Sequence, residues 1–464
     1  MSTFKMSRNI LPLILLCTSC SHYSEKIAAS ENERDSPAED VTGEIAFVNV
    51  NVAPMDGERV LEAQMVIVRE GKIAAIGHSA QIEIPASAYR IDGVGKYLMP
   101  GLADMHTHIY YAEDLLPYVA NGVTTVLNMG SPSIILQLRQ QVASAEILGP
   151  TIFASAFVDG VGNRGWIVRT PEEARTDVRD IKTRGWDFIK VYNSIATDVF
   201  NALMDEAKLQ GLAVIGHGVR APGMKGILEA GQVMIAHAEE YIYTHFNNTY
   251  DASRIPAAVE MTVRVGAYLT TTLSAYETIL LQWGNPAGRA ALLAKPEVKY
   301  VHPNWLSEWR GSNRYINNSG TLVSAFEFQK NFIKAFHDAG VPLLLGTDTP
   351  TIPGILPGFG IHQDLRNLVS AGLRPYDAIK AGTRNAGEFI RKYVPNAEPF
   401  GTIAVGKRAD LILLTANPFS NVENVAKRAG VMVRGRWLSE KKLQQMMEAL
   451  AESFEKGQTS YGVF

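Results

Sequence analysis

Five separated segments of the chain each end an apolar, strand-like run with a side chain that can bind a metal ion. They lie at residues 104–108, 188–190, 214–217, 234–237 and 345–348. In a (β/α)8 barrel the carboxyl ends of all the strands meet at one mouth, where the active site is built. The pattern therefore favours folds that gather these strand tips, and it predicts a barrel with a metal site at its mouth.

The five segments belong to a longer alternation of strand-like runs and helical patterns, which is typical of βα units. Eight such runs, the number that closes a barrel, lie at residues 97–108, 124–129, 151–156, 188–192, 213–217, 234–237, 268–272 and 342–348. Residues 273–340 are too many for a simple connection, so we expect extra helices and a lid over the mouth. Its walls would come from Trp283, Trp305, Trp309 and Tyr315.

Both ends of this alternation carry short strand-like runs separated by turn residues such as Asp56-Gly57 and Asp92-Gly93. We interpret residues 44–96 and 400–437 as one composite β-sandwich, with a TIM barrel at residues 97–399 inserted between its halves. Residues 438–464 are expected to form a C-terminal helix and tail, because Leu443, Met446, Met447 and Leu450 follow helical spacing. The predicted fold class is α/β.

The composition is that of an ordinary globular enzyme, with 46% apolar and 20% charged residues in a chain of 464. A net charge of −3 provides no basic surface for nucleic acid and no polybasic signal for membrane lipid. A small molecule is therefore the expected partner. Assembly into a homo-oligomer stays open.

The N-terminal segment has the order of a secretory signal at residues 1–20. Lys5 and Arg8 precede an apolar stretch that ends before Cys17-Thr-Ser-Cys20 and is too short to span a membrane. The segment resembles a bacterial lipobox, which predicts lipidation at Cys20 and a periplasmic or outer-membrane-anchored lipoprotein. Plain secretion is the alternative. Residues 21–43 are polar and charged, and they predict a disordered tether.

Four histidines and one aspartate stand at the predicted strand tips. His106 and His108 face the same side of a strand, because side chains alternate with a period of two. His217 and His237 end two successive strands; a lone buried histidine more often belongs to the core, but this order favours metal ligands. Asp348 could cap the next helix, although its position at the tip of strand eight favours a ligand and proton shuttle.

Lys190 lies on the same side of its strand as Phe188 and Tyr192, which places its ammonium inside the barrel. An unpaired ammonium there would cost several kcal/mol. A salt bridge to Asp187 or to a carboxylate on another strand is one solution. Carbamylation by CO2 is the other, since it creates a carboxylate able to bridge two cations. The histidines that end the next two strands favour carbamylation.

These motifs resemble those of the amidohydrolase superfamily. The similarity is to binuclear members with a carbamylated lysine, in the imidazolonepropionase-like and Xaa-Pro dipeptidase-like branch. It covers about residues 44–437 and rests on the segments at residues 100–108, 187–192, 216–217, 236–240, 346–348 and 401–411.

The resemblance implies two divalent metal ions, with zinc favoured by the imidazole and carboxylate ligands. His106, His108 and Asp348 would hold one ion, His217 and His237 the other, and carbamylated Lys190 would bridge them. A hydroxide shared by the two metals would attack a polarised carbonyl. Asp348 would accept its proton and deliver it to the leaving nitrogen.

Four residues are candidates for substrate contacts. Tyr241 could donate to the tetrahedral oxyanion or serve in packing. Arg164 and Arg220 follow strands three and five, where either could hold a substrate carboxylate or be an ordinary surface arginine. His362 could approach the mouth or pack in a helix.

The leading functional interpretation is a metal-dependent hydrolase of C–N bonds in small amides, with dipeptides or N-acyl amino acids as the first candidates. A cyclic-amide hydrolase or deaminase is the nearest alternative, although many deaminases of the superfamily lack the strand-four lysine. Lactone or organophosphate hydrolysis is also open. A periplasmic solute-binding lipoprotein is the alternative of a different class, but it gives no reason for six convergent ligands.

Overall fold

The computed structural model describes residues 38–130, 132–162 and 165–459. Their strands, numbered in chain order, form two sheets of nine strands each. The strands are β1 (Asp40–Val41), β2 (Ile45–Val52), β3 (Leu61–Arg69), β4 (Lys72–His78), β5 (Tyr89–Asp92), β6 (Tyr97–Pro100), β7 (Leu102–Thr107), β8 (Val123–Met129), β9 (Thr151–Asp159), β10 (Trp166–Ile167), β11 (Phe188–Val191), β12 (Ala213–Gly216), β13 (Met234–Ala236), β14 (Tyr268–Thr270), β15 (Leu343–Leu344), β16 (Leu411–Leu414), β17 (Arg428–Val433) and β18 (Arg436–Ser439).

Most helices of the described residues follow or precede strands of the second sheet, and one more helix follows the last strand near the C-terminus. They are α1 (Leu115–Ala120), α2 (Ile134–Ala143), α3 (Pro171–Thr183), α4 (Thr197–Gln210), α5 (Gly223–Glu229), α6 (Glu239–Thr244), α7 (Ile255–Val265), α8 (Leu273–Gln282), α9 (Pro286–Leu293), α10 (Pro303–Gly311), α11 (Val323–Asp338), α12 (Gly360–Ser370), α13 (Pro375–Ala381), α14 (Arg384–Tyr393) and α15 (Glu440–Glu455). Short 3-10 turns lie at Ala112–Asp114, Ala252–Arg254, Pro296–Tyr300 and Val422–Ala426. Within this described part of the chain, no helix combines the length and apolar character needed to cross a membrane.

The second sheet is the predicted barrel. Its eight parallel strands pair in the order β7, β8, β9, β11, β12, β13, β14 and β15, with β10 added beside β9. The first and last strands are joined beyond their tips, where the Asp348 N–H donates to the His106 carbonyl at 2.8 Å and the His108 N–H donates to the Thr349 carbonyl at 2.8 Å. Sequence alternation therefore predicted the (β/α)8 fold class correctly.

The first sheet comes from both ends of the chain, as the sequence predicted. Strand β6 is central in it, pairing with β2 from the N-terminal half and with β16 from the C-terminal half. The apolar run at residues 97–108 is therefore two strands in two sheets, and only β7 belongs to the barrel. The chain changes sheets at Gly101, where a Cβ atom would lie 2.1 Å from the Thr124 hydroxyl oxygen. The run appeared continuous because both strands are buried.

The predicted tether requires a correction at its C-terminal end. Residues 40–41 form β1, which pairs antiparallel with β18, and Asp40 makes an ion pair with Arg436 at 2.7 Å. A polar segment is ordered here because the edge of the sheet supplies partners for its backbone groups. The rest of the tether up to residue 37 and the predicted signal with Cys17 and Cys20 lie outside the described residues.

The long segment after β14 forms helices α8–α11, as expected for an insertion. Trp309 is buried there, and its indole N–H donates to the Pro350 carbonyl at 2.9 Å. It therefore supports the loop that follows Asp348 instead of forming a wall of the mouth. The amphipathic helix expected near the C-terminus is α15, whose Leu443 and Leu450 pack against Val431 of the sandwich.

A buried ion pair fixes the β-sandwich to the barrel. Arg408 and Asp410 are each 3% exposed, and the Arg408 guanidinium also donates to Thr125 of β8 at 2.6 Å. We expect Arg408→Met to lower the free energy of unfolding by about 3–5 kcal/mol, because it leaves the Asp410 carboxylate buried without its partner. Urea denaturation measures this loss.

The matched control is Arg436→Met, which removes the pair with Asp40, whose side chains are 31% and 26% exposed. A partly exposed pair contributes only about 0–1 kcal/mol. Equal losses in the two variants would contradict a special role for the buried pair.

Candidate metal centre

Three predicted ligands lie together where the first and last barrel strands meet. His106 is the penultimate residue of β7 and His108 follows the strand, while Asp348 follows β15. The Asp348 Oδ1 atom lies 3.0 Å from His108 Nε2 and 3.4 Å from His106 Nε2. One ligand atom from each of the three residues lies within 4.8 Å of the others. Barrel closure therefore creates this group.

The other two histidines complete a cluster at the same mouth. The His237 ring centroid lies 4.3 Å from that of His106 and 4.8 Å from that of His217. The Lys190 Nζ atom lies 3.2 Å from His106 Nε2. The structure thus brings all six predicted ligands together, although the sequence places them on five different strands.

Local backbone geometry aims these side chains. His237 and Asp348 have φ values of 73° and 60°, in the left-handed region that non-glycine residues seldom adopt. Such strain persists only where the surroundings impose it, and it is concentrated at functional sites. Gly216, directly before His217, has a φ of 124°, and a Cβ there would lie 2.4 Å from the Val191 carbonyl oxygen. Only glycine fits at this position.

Three of the histidines are oriented through Nδ1, which leaves Nε2 for a ligand. His108 Nδ1 lies 2.9 Å from the Gly130 carbonyl, and His217 Nδ1 lies 2.8 Å from the Glu240 carboxylate. His237 Nδ1 lies 2.9 Å from the Thr272 hydroxyl. Partners of this kind fix the ring orientation of metal-binding histidines and raise their basicity as ligands.

The electrostatics keep the imidazoles of His106, His217 and His237 neutral, as metal ligands must be. Burial lowers the pKa of His237 to about 3 and also lowers the pKa of His106 and His217. Burial opposes ionisation of Asp348, but the His108 hydrogen bond and the neighbouring His237 and Lys190 outweigh it, so its pKa lies below the usual range. The centre therefore offers neutral nitrogen atoms and one ionised carboxylate.

For the pKa of Lys190, burial outweighs the opposing effect of the Asp348 and Glu240 carboxylates. Lys190 is 2% exposed, and among the described residues no carboxylate forms a salt bridge with it. Asp187, the partner considered from the sequence, is paired with Arg139 at 2.7 Å instead. Burial lowers the pKa of Lys190 to about 8. The nitrogen and carboxylate donors of this site fit divalent metal ions. The buried Lys190 amine would join them as a ligand if carbamylation converted it into a carboxylate.

A family model for the amidohydrolase family matches residues 97–438. The chain belongs to the amidohydrolase family. Adenine deaminase 2 of Rhizobium etli is 24% identical over 389 residues, covering 78% of this chain and 54% of the relative. Imidazolonepropionase of Mycolicibacterium smegmatis is 23% identical over 395 residues, covering 77% of this chain and 85% of the relative.

A solved structure of a Xaa-Pro dipeptidase with bound methionine in the active site has a TM-score of 0.64 to this amidohydrolase at 19% identity. The match covers 86% of this chain and all of that one (100%). A likeness at that level of identity shows a shared fold. This amidohydrolase spans about half the length of the adenine deaminase that it matches. The likenesses agree with the branch that the motifs resemble.

Two of the four candidate substrate contacts of this amidohydrolase are engaged by the protein itself. Tyr241 is fully buried, packs against Phe336, and its hydroxyl lies 2.7 Å from Thr262 of α7, so its position does not suit an oxyanion donor. Arg220 donates to Glu240 and to the Gly218 carbonyl, so its guanidinium is already engaged.

The other two candidates also lack a demonstrated place at the mouth. His362 contacts Arg428 of the sandwich at 3.4 Å, in the layer between the barrel and α15. That contact fits the helix-packing alternative. Arg164 lies outside the described residues, so its role stays a prediction.

Several residues around the metal ligands were missed. Glu240 is 2% exposed and holds His217, while Thr272 holds His237. Tyr192 lies over the His217 ring with centroids 4.0 Å apart. Two adjacent acidic residues directly after an apolar strand tip, Glu239 and Glu240, were the available signal. Charged residues in that position seldom belong to a core.

We expect Lys190→Ala to retain fewer than one zinc ion per chain after dialysis, against about two for the native protein. The bridging group is lost in this variant. Elemental analysis by mass spectrometry measures the metal content. Lys182→Ala, on the exposed face of α3, is the control and should bind as the native protein does.

Added propionate should restore part of the zinc in Lys190→Ala, because its carboxylate fits the vacated space. Full metal retention by Lys190→Ala without propionate would contradict the bridging assignment.

The lowered pKa of Lys190 predicts pH-dependent metal loading. Only the neutral amine reacts with CO2, and with a pKa of about 8 roughly a tenth of the chains carry it at pH 7, against fewer than roughly one in a thousand for an ordinary lysine. At constant dissolved CO2, zinc uptake by metal-free protein should accelerate roughly 20-fold from pH 6.5 to pH 8.5. Stopped-flow measurement with a zinc indicator tests this, and a flat rate would contradict carbamylation.

Proposed function

We propose that this amidohydrolase is a metal-dependent hydrolase of C–N bonds in small molecules, with dipeptides or N-acyl amino acids as the favoured substrates. The observation that carries the proposal is the convergence of four histidines, Asp348 and the buried Lys190 on one mouth. Family membership supports it at the level of the reaction, and the fold shared with a Xaa-Pro dipeptidase supports the substrate class.

Two divalent ions, with zinc favoured, would be held by the six residues. His106, His108 and Asp348 suit one ion, His217 and His237 suit the other, and a carbamate on Lys190 suits the bridge between them. Bound ions would polarise the scissile carbonyl and lower the pKa of a water molecule towards neutrality. The buried position of the ligands supports tight binding, since each oriented imidazole presents Nε2 to the same space.

Asp348 is the residue best placed to move a proton. Its Oδ1 atom faces His106 and His108, which leaves Oδ2 to accept a proton from the attacking water and deliver it to the leaving nitrogen. Its lowered pKa keeps it ionised before the reaction. Glu240 supports this chemistry indirectly by fixing the His217 ring.

Deamination or cyclic-amide hydrolysis on the same scaffold is the second candidate. It is favoured by the adenine deaminase and imidazolonepropionase relatives. Lys190 argues for a bridged pair of ions, whereas many deaminases of this superfamily use one. Lactone or organophosphate ester hydrolysis requires the same attacking water. A solute-binding lipoprotein would have no use for the six ligands, and a metal-free protein would favour it.

Export is part of the proposal. The order of charged, apolar and small residues before Cys20 supports a signal peptide and a lipid anchor in the periplasm or outer membrane, with secretion as the alternative. A tethered scavenger of small amides would require both features.

We expect Asp348→Asn to lower kcat by at least about 10³-fold, because the amide cannot accept and return the proton. Assays of a dipeptide and N-acyl amino acid panel on the zinc-loaded protein measure this. Chelation should abolish turnover and zinc should restore it. Asp198→Asn, on the exposed start of α4, is the control and should turn over normally. Undiminished turnover in chelated protein would reject the proposed function.

A further inference from the structure

Glu239 has an unusual position beside the metal centre. It follows His237 by two residues and begins α6. Its Oε2 atom is buried and accepts no hydrogen bond from any described residue. The adjacent Glu240 contrasts with it, because that carboxylate is engaged by His217 and Arg220. One of two neighbouring carboxyl groups is therefore part of the protein's own network, and the other has a buried oxygen atom without a partner among the described residues.

Several ionisable groups act electrostatically on the Glu239 carboxyl or are affected by it. They include Asp348 of the metal centre and Tyr315, and also Tyr243 and Tyr276. Burial is the main factor that raises the pKa of all three tyrosines, so their hydroxyls stay neutral. Arg220 is the cation that acts on Glu239 most strongly, but its guanidinium donates to Glu240.

We propose that Glu239 is a specificity-determining residue that binds a cationic nitrogen of the substrate. This inference rests on the proposed function and names the chemistry that its substrate carries. A buried carboxyl without a donor is costly, and a charge-assisted hydrogen bond from an ammonium would remove the cost.

The inference separates the two favoured substrate classes. A dipeptide carries an α-ammonium one carbon from its scissile carbonyl, so an amide held at the metals places that ammonium close to the mouth. An N-acyl amino acid has only hydrocarbon in that place. A cationic side chain on an N-acyl amino acid is the other source of the same chemistry.

The experiment compares Ala-Ala with N-propionyl-alanine, which is the same molecule without the amine. N-propionyl-lysine tests a cationic side chain as the source. The native zinc enzyme should prefer Ala-Ala by roughly 10- to 100-fold in kcat/KM, the range expected for one hydrogen bond to a charged group. Glu239→Gln should remove this preference while changing kcat/KM for N-propionyl-alanine less than about threefold.

Glu260→Gln is the matched control, since Glu260 is exposed on α7 and its variant should retain the native preference. Metal analysis of Glu239→Gln should give the native zinc content. Parallel loss on Ala-Ala and N-propionyl-alanine, or no native preference for either cationic compound, would overturn the inference. A preference confined to N-propionyl-lysine would assign Glu239 to a substrate side chain.

Failure of the proposed hydrolysis is distinguishable from failure of this inference. If the native protein hydrolyses none of the three compounds, the inference is tested by calorimetry. The measurement compares the binding of Ala-Ala and N-propionyl-alanine to the zinc-loaded protein. Tighter binding of Ala-Ala that disappears in Glu239→Gln would support amine recognition without hydrolysis. Equal binding of both compounds would overturn it.

Discussion

The hydrogen bonds between the tips of the first and last barrel strands are the constraint on which the functional site depends. His106 and Asp348 are 242 positions apart in the sequence, yet the backbone of one donates directly to the other. Gly346 permits this approach, because a Cβ there would lie 2.8 Å from the His106 Cβ. Without this closure, the histidine pair and the aspartate would lie on opposite edges of an open sheet. The metal site is thus a consequence of the barrel's topology, and residues on the intervening strands complete it.

Electrostatics at the mouth follow from the same geometry. Eight strands directed at one point place several polar groups in a small buried volume, where burial disfavours every charge. His106, His217 and His237 respond by staying neutral. The hydrogen bond from His108 together with other neighbours keeps Asp348 ionised. Lys190 is the exception, since burial lowers its pKa and outweighs the opposing effect of the Asp348 and Glu240 carboxylates. A site that binds cations but contains a buried amine is consistent only when the amine is converted or neutralised.

Much of this could be predicted from the sequence, because strand alternation and barrel order are local properties of the chain. The six candidate ligands that the structure brings to one mouth could all be named from their positions at the ends of apolar runs. The substrate contacts were less accessible, since they depend on how helices pack after the strands end. Tyr241 turns into the wall towards Thr262, and Arg220 meets Glu240 across 20 residues. The sequence did not reveal that residues 97–108 divide between two sheets, because the residues on both sides of Gly101 are buried.

Lys190 and Glu239 together explain how binding and catalysis share one mouth. Among the described residues, the buried Lys190 amine forms no salt bridge and the buried Glu239 Oε2 atom accepts no hydrogen bond. Each of these arrangements lowers the stability of the fold. A chain optimised for stability alone would pair such groups or replace them with apolar residues of similar size. Lys190 is basic and Glu239 is acidic, so each would bind a different kind of partner. A carbamate group with its bound cations would satisfy Lys190, whereas a cationic nitrogen of the substrate would satisfy Glu239. The protein's least satisfied groups therefore indicate what it binds.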